Sequence, residues 1–257
     1  MRVFATSDLH TDYKENFNWL KELSGTAYRD DALIVAGDVS DRLDVIRETL
    51  VMLRAKFRHV LYTPGNHELW VRNEGFDSLE KLRRVMSLCE EIDVTTRPLR
   101  LEDLWVVPLF SWYDGVFHSE EEERAARKSW VDFHVCKWPE DAAPLPDYFL
   151  RLNEPHLKTY DAPVVTFSHF IPRSDLFPPK QYLRFSWLES ISLCAGLDSQ
   201  IRMLKSHTHV CGHTHTTFDH VVDGVRYIQN AVRYPRERTA ASIAIKQIWP
   251  QKAQNHF

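Results

Sequence analysis

Long apolar runs are missing from this chain of 257 residues; none approaches the ~20 residues needed to cross a bilayer. The opening MRVFATSDLH holds no uninterrupted apolar stretch, so no signal peptide is expected there. Cysteine is sparse and scattered. Cys89, Cys136, Cys194 and Cys211 form no C-x-x-C pair, which argues against a zinc ribbon or a redox dithiol and fits reduced thiols in the cytoplasm. Neither sign of charge dominates: 32 Lys and Arg stand against 36 Asp and Glu, so surface-wide attraction to nucleic acid or anionic lipid is not indicated. Internal repeats and low-complexity linkers are also absent. With 44% apolar and 26% charged residues the composition is ordinary for a globular protein, and disorder, coiled coil and collagen are excluded. The length allows one large domain or two small ones. With no linker to divide it, a single domain over residues 1–257 is expected, large enough to bury a core without staples.

Histidine is abundant, at 13 residues, and its placement carries the functional reading. Short apolar runs suited to buried strands are Arg2–Ser7, Ala32–Ala36, His59–Thr63, Leu104–Leu109 and Val164–Ser168. Between the first of these, apolar residues recur at helical steps. Phe17, Leu20 and Leu23 mark one helix. Leu43, Ile46, Leu50, Leu53 and Phe57 mark a second, with Ser40 or Asp41 as its cap. Leu79, Leu82, Val85, Met86 and Cys89 mark a third, with Asp77 and Glu80 at capping-box spacing. This β-α-β-α-β-α order predicts an α/β fold with a mainly parallel sheet and crossover helices. Further strands are read at His207–Cys211, Val225–Gln229 and Ala241–Ile248, with antiparallel pairing expected among them. Asp223-Gly224 is the turn of a hairpin between Phe218–Val222 and Val225–Gln229. Residues of about 111–160 break the rhythm with an acidic start, several aromatics and four prolines. They read as an insertion or cap over one end of the sheet, with Ser119 and Glu122 opening a short helix.

Five segments share one feature: an apolar strand runs out and a metal-capable residue follows. They supply Asp8 and His10, Asp38, Asn66 and His67, His169, and His213 and His215. Ligands in open α/β sheets bind beyond the carboxyl ends of strands, so residues far apart in the chain can converge there. In Asp8-x-His10 and His213-x-His215 the two-residue spacing puts both side chains on one side of an extended chain. Imidazole suits Zn, Fe, Ni and similar ions, while carboxylate and carboxamide oxygens suit harder ones such as Mn. The seven taken as donors, Asp8, His10, Asp38, Asn66, His169, His213 and His215, exceed the three or four of a mononuclear site and match two ions sharing a carboxylate, an arrangement suited to phosphoryl transfer.

Together, Asp8-x-His10, Gly37-Asp38-x-x-Asp41, Gly65-Asn66-His67-Glu68, Ser168-His169 and Gly212-His213-x-His215 resemble the ordered motif set of the calcineurin-like metallophosphoesterases. The resemblance implies a four-layer α/β/β/α sandwich with two mixed sheets. It implies that Asp8, His10, Asp38 and His215 hold one metal, that Asp38, Asn66, His169 and His213 hold the other, and that Asp38 bridges. It makes His67 a non-ligand histidine that protonates the leaving alkoxide or steadies the phosphoryl oxygens, oriented by Asp41. The expected cofactors are two transition-metal ions drawn from Mn, Fe, Zn, Ni and Co. The expected reaction is attack on phosphorus by a hydroxide bridging them.

The expected substrate is a small-molecule phosphomonoester or phosphodiester, such as a nucleotide derivative. A nuclease of the same superfamily and a non-catalytic metal-binding scaffold for a protein partner are the alternatives. Arg173, four residues after His169, and Arg233 are candidate phosphate contacts, each weighed against a surface salt bridge. Trp112, Tyr113, Trp130 and Trp138 are candidates for a cleft wall, weighed against core packing.

Overall fold

The computed structural model describes residues 1–140, 142, 144–178, 183, 185–238 and 243–250. Among these residues, ten strands form two sheets. The first joins β1 (Val3–Thr6), β2 (Ala32–Ala36), β3 (His59–Thr63) and β10 (Lys246–Trp249) in the order β10-β1-β2-β3. The second joins β4 (Leu99–Leu101), β5 (Leu104–Pro108), β6 (Val164–Phe167), β7 (Thr208–Cys211), β8 (Phe218–Val222) and β9 (Val225–Gln229) in the order β4-β5-β6-β7-β9-β8. Both sheets are mixed: β1, β2 and β3 run parallel, as do β5, β6, β7 and β9, and antiparallel strands complete the edges.

Alternation along β2 shows why the layers stack. Ala32, Ile34 and Ala36 face Val106, Val165, Phe167 and Val210 of the second sheet. Leu33 and Val35 face the opposite way, onto Leu20 of α1 (Lys14–Glu22) and Ile46, Leu50 and Leu53 of α2 (Leu43–Arg54). A fully buried strand of this kind reads as a continuous apolar run because both faces are covered. Helix α3 (Ser78–Glu91) starts as its sequence predicts, with the Asp77 side chain accepting from the Glu80 amide at 2.7 Å. The start of α2 differs from expectation. Its N-cap is Arg42, and Ser40 accepts only the Arg42 amide while Asp41 is engaged elsewhere.

The outer face of the second sheet packs on the segment around 111–160. Trp112, Tyr113, Ala126 of α4 (Glu120–Ser129) and Phe149 of α6 (Leu145–Leu152) share one apolar cluster with Val107, Val164 and Tyr227. The short helix α5 (Asp132–Val135) lies between them in sequence. As expected, Ser119 caps α4 by accepting from the Glu122 amide. Helix α7 (Gly196–Met203) adds Leu197 and Ile201 to the same cluster.

The antiparallel pairing expected among the strands read at His207–Cys211, Val225–Gln229 and Ala241–Ile248 is not found, whereas the hairpin expected at Asp223-Gly224 does pair β8 antiparallel with β9. After β7 the hairpin swings outward, so β8 takes the sheet edge and β9 lies parallel against β7. Strand β10 leaves this sheet and pairs antiparallel with β1. Residues 241 and 242 of the strand read over Ala241–Ile248 fall outside the described residues. The parallel placement of β9 has a consequence for the site: the chain that follows Gln229 emerges at the same end as the loops after β1, β2 and β7.

Candidate metal centre

All seven donors named from the sequence meet at one end of the two sheets. Ligand-capable atoms of Asp8, His10, Asp38 and His215 lie within 4.8 Å of one another, and so do those of Asp38, His169 and His213. Asp38 belongs to both groups and divides its oxygens between them: Oδ1 is 3.4 Å from His169 Nε2, and Oδ2 is 4.0 Å from His10 Nε2. Asn66 joins the second group, its Oδ1 lying 3.2 Å from His169 Nε2 and 3.1 Å from His213 Nδ1. On the first side, His10 Nε2 and His215 Nε2 stand 3.0 Å apart, and His215 Nε2 is 3.5 Å from Asp8 Oδ1.

The local backbone is bent to achieve this. Asp8, His10, Asp38, His213 and His215 all have positive φ, between 41° and 73°. That region is sparsely occupied by residues other than glycine, and such conformations gather at functional sites. Glu68 braces one of these bends, accepting the amides of Asp38, Val39 and Gly65 while fully buried. Gly65 itself must lack a side chain, since a Cβ there would overlap Asp38 Oδ1 and His169 Nε2.

Three of the four donor rings, those of His169, His213 and His215, are held so that one chosen nitrogen faces inward, while His10 Nδ1 has no partner among the described residues. His169 Nδ1 bonds the Ala36 carbonyl at 2.9 Å, leaving Nε2 free. His213 Nε2 bonds the Ile191 carbonyl at 3.0 Å, leaving Nδ1 free. His215 Nδ1 bonds Glu237 at 2.6 Å, leaving Nε2 free. The Asn66 amide is turned by Asp132, whose Oδ1 accepts from Nδ2 at 2.9 Å, so the carbonyl oxygen points inward. Outer partners of this kind are what fix metal ligands in place.

The donor set fits a pair of cations. Ring nitrogens and carboxamide and carboxylate oxygens crowd to 3.0–3.5 Å of one another, pointing at shared spaces. Donors about 2.0–2.1 Å from a common ion are separated by about that much. Burial opposes charge on His169, yet Asp38 holds its imidazolium up to about 10. Burial likewise opposes charge on Asp38, yet His169 and His67 keep it well below the carboxylate range. Burial pushes His10 and His213 well below the ordinary histidine range, so both are neutral and able to ligate.

His67 lies beside the donors, its Nε2 3.7 Å from Asp38 Oδ2, with its ring against Trp70 at 3.6 Å between centroids. Its expected partner is not the one found. Among the described residues the Asp41 carboxylate accepts from Arg72 Nε at 2.6 Å, and the hydroxyl of Tyr234 meets His67 Nε2 at 3.2 Å. Burial brings His67 down to about 4, so its imidazole is neutral near pH 7 rather than held charged. The expectation of a phosphate contact at Arg173 is also revised. Its guanidinium is taken up by Asp175, Asp198 and Asp223, whose negative charge already neutralises it. Arg233 differs: its Nη2 donates to Thr217 at 2.7 Å, and its backbone amide bonds the Asp8 carbonyl at 3.1 Å.

Asp132, Tyr234 and Glu237 were not picked out by sequence reasoning, because none belongs to a motif with a characteristic spacing. Of the candidate wall residues, Trp130 stands edge-on to His213 at 5.7 Å. Trp112 and Tyr113 are core residues, and Trp138 packs against Trp112.

Two facing sheets flanked by helices, with paired metal-donor groups at their loop end, define a metallophosphoesterase. The profile of the calcineurin-like phosphoesterases matches residues 1–217, and the chain belongs to that family. It is similar to the acyl-carrier-protein phosphodiesterase PptH of Mycobacterium tuberculosis, at 31% identity over 278 aligned residues that cover 91% of this chain and 78% of the relative. The crystal structure of phosphopantetheinyl hydrolase (PptH) from that organism matches with a TM-score of 0.81 and 28% identity, over 97% of this chain and 96% of that one. The chain is a metal-dependent phosphoester hydrolase with this two-sheet α/β fold. No helix among the described residues is long and apolar enough to cross a membrane.

Proposed function

We propose that the protein is a phosphodiesterase that releases phosphopantetheine from a carrier protein. The observation that carries this reading is the match to PptH along nearly the whole chain. The small-molecule substrate expected from the sequence thereby gives way to a protein-linked one. In the reaction, water adds to phosphorus, the bond from phosphorus to the carrier-protein oxygen breaks, and that oxygen takes up a proton.

Asp8, His10, Asp38 and His215 would hold one metal ion, and Asp38, Asn66, His169 and His213 the other. Bound there, a pair of ions from the set Mn, Fe, Zn, Ni and Co would supply Lewis-acid charge at phosphoryl oxygens and lower the pKa of water. The chain's own residues do the positioning. Asp38 presents one oxygen to each half of the site. His67, neutral and facing Asp38 Oδ2, offers a ring nitrogen to a phosphoryl or leaving oxygen. Arg233 has a guanidinium that is not ion-paired among the described residues, and it stands at the loop edge beside Thr217 as the remaining candidate for the phosphate. Residues 111–160 belong to the same working unit and cap the His213 side, as Trp130 against His213 and Asp132 on Asn66 suggest. A cytoplasmic location is part of this reading, supported by four free cysteines.

The test is incubation of a phosphopantetheinylated carrier protein with the purified enzyme and added Mn, followed by intact-protein mass spectrometry. The carrier is expected to lose its phosphopantetheine. An unchanged carrier, alongside rapid hydrolysis of small phosphodiesters, would return the assignment to a small-molecule substrate.

A further inference from the structure

The chain from Arg233 to Glu237 lies beyond residue 217, where the family match ends, yet it touches three of the central histidines. Its position is dictated by backbone. Past β9 the chain runs beside the end of β1, with Ser7 N bonding Asn230 O, Val232 N bonding Ser7 O and Arg233 N bonding Asp8 O. Arg233 then turns at φ 72°, and Asn16 Nδ2 ties its carbonyl to that of Leu9. A 3-10 turn over Pro235–Glu237 closes the segment, the Glu237 amide bonding the Tyr234 carbonyl at 3.0 Å.

Two side chains leave this turn toward the site. Glu237 fixes His215, as described above. The ring of Tyr234 stacks on His10 at 4.3 Å and 29°, and the Arg236 guanidinium covers the ring at 5.3 Å. The Tyr234 hydroxyl is thereby delivered to His67 Nε2, the atom facing Asp38. Arg72 already bonds the Asp41 carboxylate, so the partner found on the His67 ring is the tyrosine, at Nε2, and not the expected carboxylate.

We infer that Tyr234 is a positioning residue for His67: its hydroxyl holds the imidazole over the bridging aspartate, from a strap that lies past the residues the family profile matches. Whichever of the two groups donates, in the substrate-free protein the bond fixes the ring about its Cβ–Cγ axis, and Nε2 exchanges the hydroxyl for a phosphoryl or leaving oxygen when the site fills. The inference rests on phosphoester hydrolysis at this site and not on the identity of the substrate.

The experiment is a double-mutant cycle between Tyr234→Phe and His67→Gln, read on bis(p-nitrophenyl) phosphate and on the carrier protein in parallel. Tyr234→Phe keeps the stack on His10 and removes only the hydroxyl. It is expected to lower kcat about tenfold with KM, metal content and Tm unchanged. In the His67→Gln background the same change is expected to have less than about a twofold effect. A reading independent of turnover is the nitrogen-15 resonance of His67 Nε2 in the metal-free protein, which should move in Tyr234→Phe. Equal losses in both backgrounds, a change confined to KM, or an unmoved resonance would each overturn the inference. Failure of the carrier protein to react, with the cycle intact on the small diester, would overturn only the substrate assignment.

Discussion

At the scale of the residue, the site is a set of donors in costly conformations. Left-handed backbone at a non-glycine residue costs on the order of 1–3 kcal/mol, and it persists only where neighbours over-determine it. Here two such neighbours are identifiable: Glu68 on the amides of Asp38 and Val39, and Glu237 on the His215 ring. Among the described residues, Asp38 is the one side chain common to both candidate donor groups. Replacing it with Asn keeps the shape but halves the oxygen donors and removes the charge. Asp38→Asn is expected to lose about one metal equivalent by elemental analysis and to slow turnover roughly 10³-fold, about 4 kcal/mol of barrier. Wild-type turnover with two metals bound would refute a bridging role. The donors themselves were legible because each follows a strand in a recognisable short motif. Tyr234 and Asp132 were not, because their partners lie 167 and 66 residues away.

Elements follow the sequence where local signals are complete. Helix α3 has its cap, its apolar stripe and buried Leu79, Leu82, Val85 and Cys89. Removing the cap with Asp77→Ala leaves the Glu80 amide without its partner and is expected to cost about 1 kcal/mol. Chemical denaturation should show this as a lower midpoint with an unchanged slope, and activity per folded molecule should not change. Helix α2 instead begins at Arg42 without a side-chain cap, because Ser40 is already bonded to Asp12 at 2.6 Å and Asp41 to Arg72. The pairing of β7 with β9 was hidden for a different reason. A hairpin signal fixes β8 against β9 but does not say which of the two returns to the neighbouring strand.

For the molecule as a whole, burying so many titratable groups links stability to pH. His209 is a clear case away from the ligands. Its ring is fully buried between Thr166 and Ser168, and burial lowers it to about 3. The unfolded chain binds a proton near the ordinary histidine value of about 6.5, so between the two values the unfolded state holds more protons. The neutral ring's contribution is therefore complete above about pH 6.5 and is lost as pH falls toward about 3. The linked term amounts to as much as about 4–5 kcal/mol. In chelator-treated protein, denaturant midpoints should fall with acid across this window, and His209→Gln should be less stable at pH 7 with a shallower fall. Equal slopes in the two proteins would show that the ring's titration is not linked to folding.

The sequence by itself determined most of the strands, though not β4, helices α1 to α4 and the inventory of candidate metal donors, because these rest on local periodicity and on residues adjacent in the chain. Tertiary structure decided the rest. It set which strand lies beside which, that Arg173 is neutralised by three aspartates, and that Tyr234 rather than Asp41 meets His67. Those outcomes depend on distances between segments far apart in the chain, and such distances exist only once the two sheets have packed face to face.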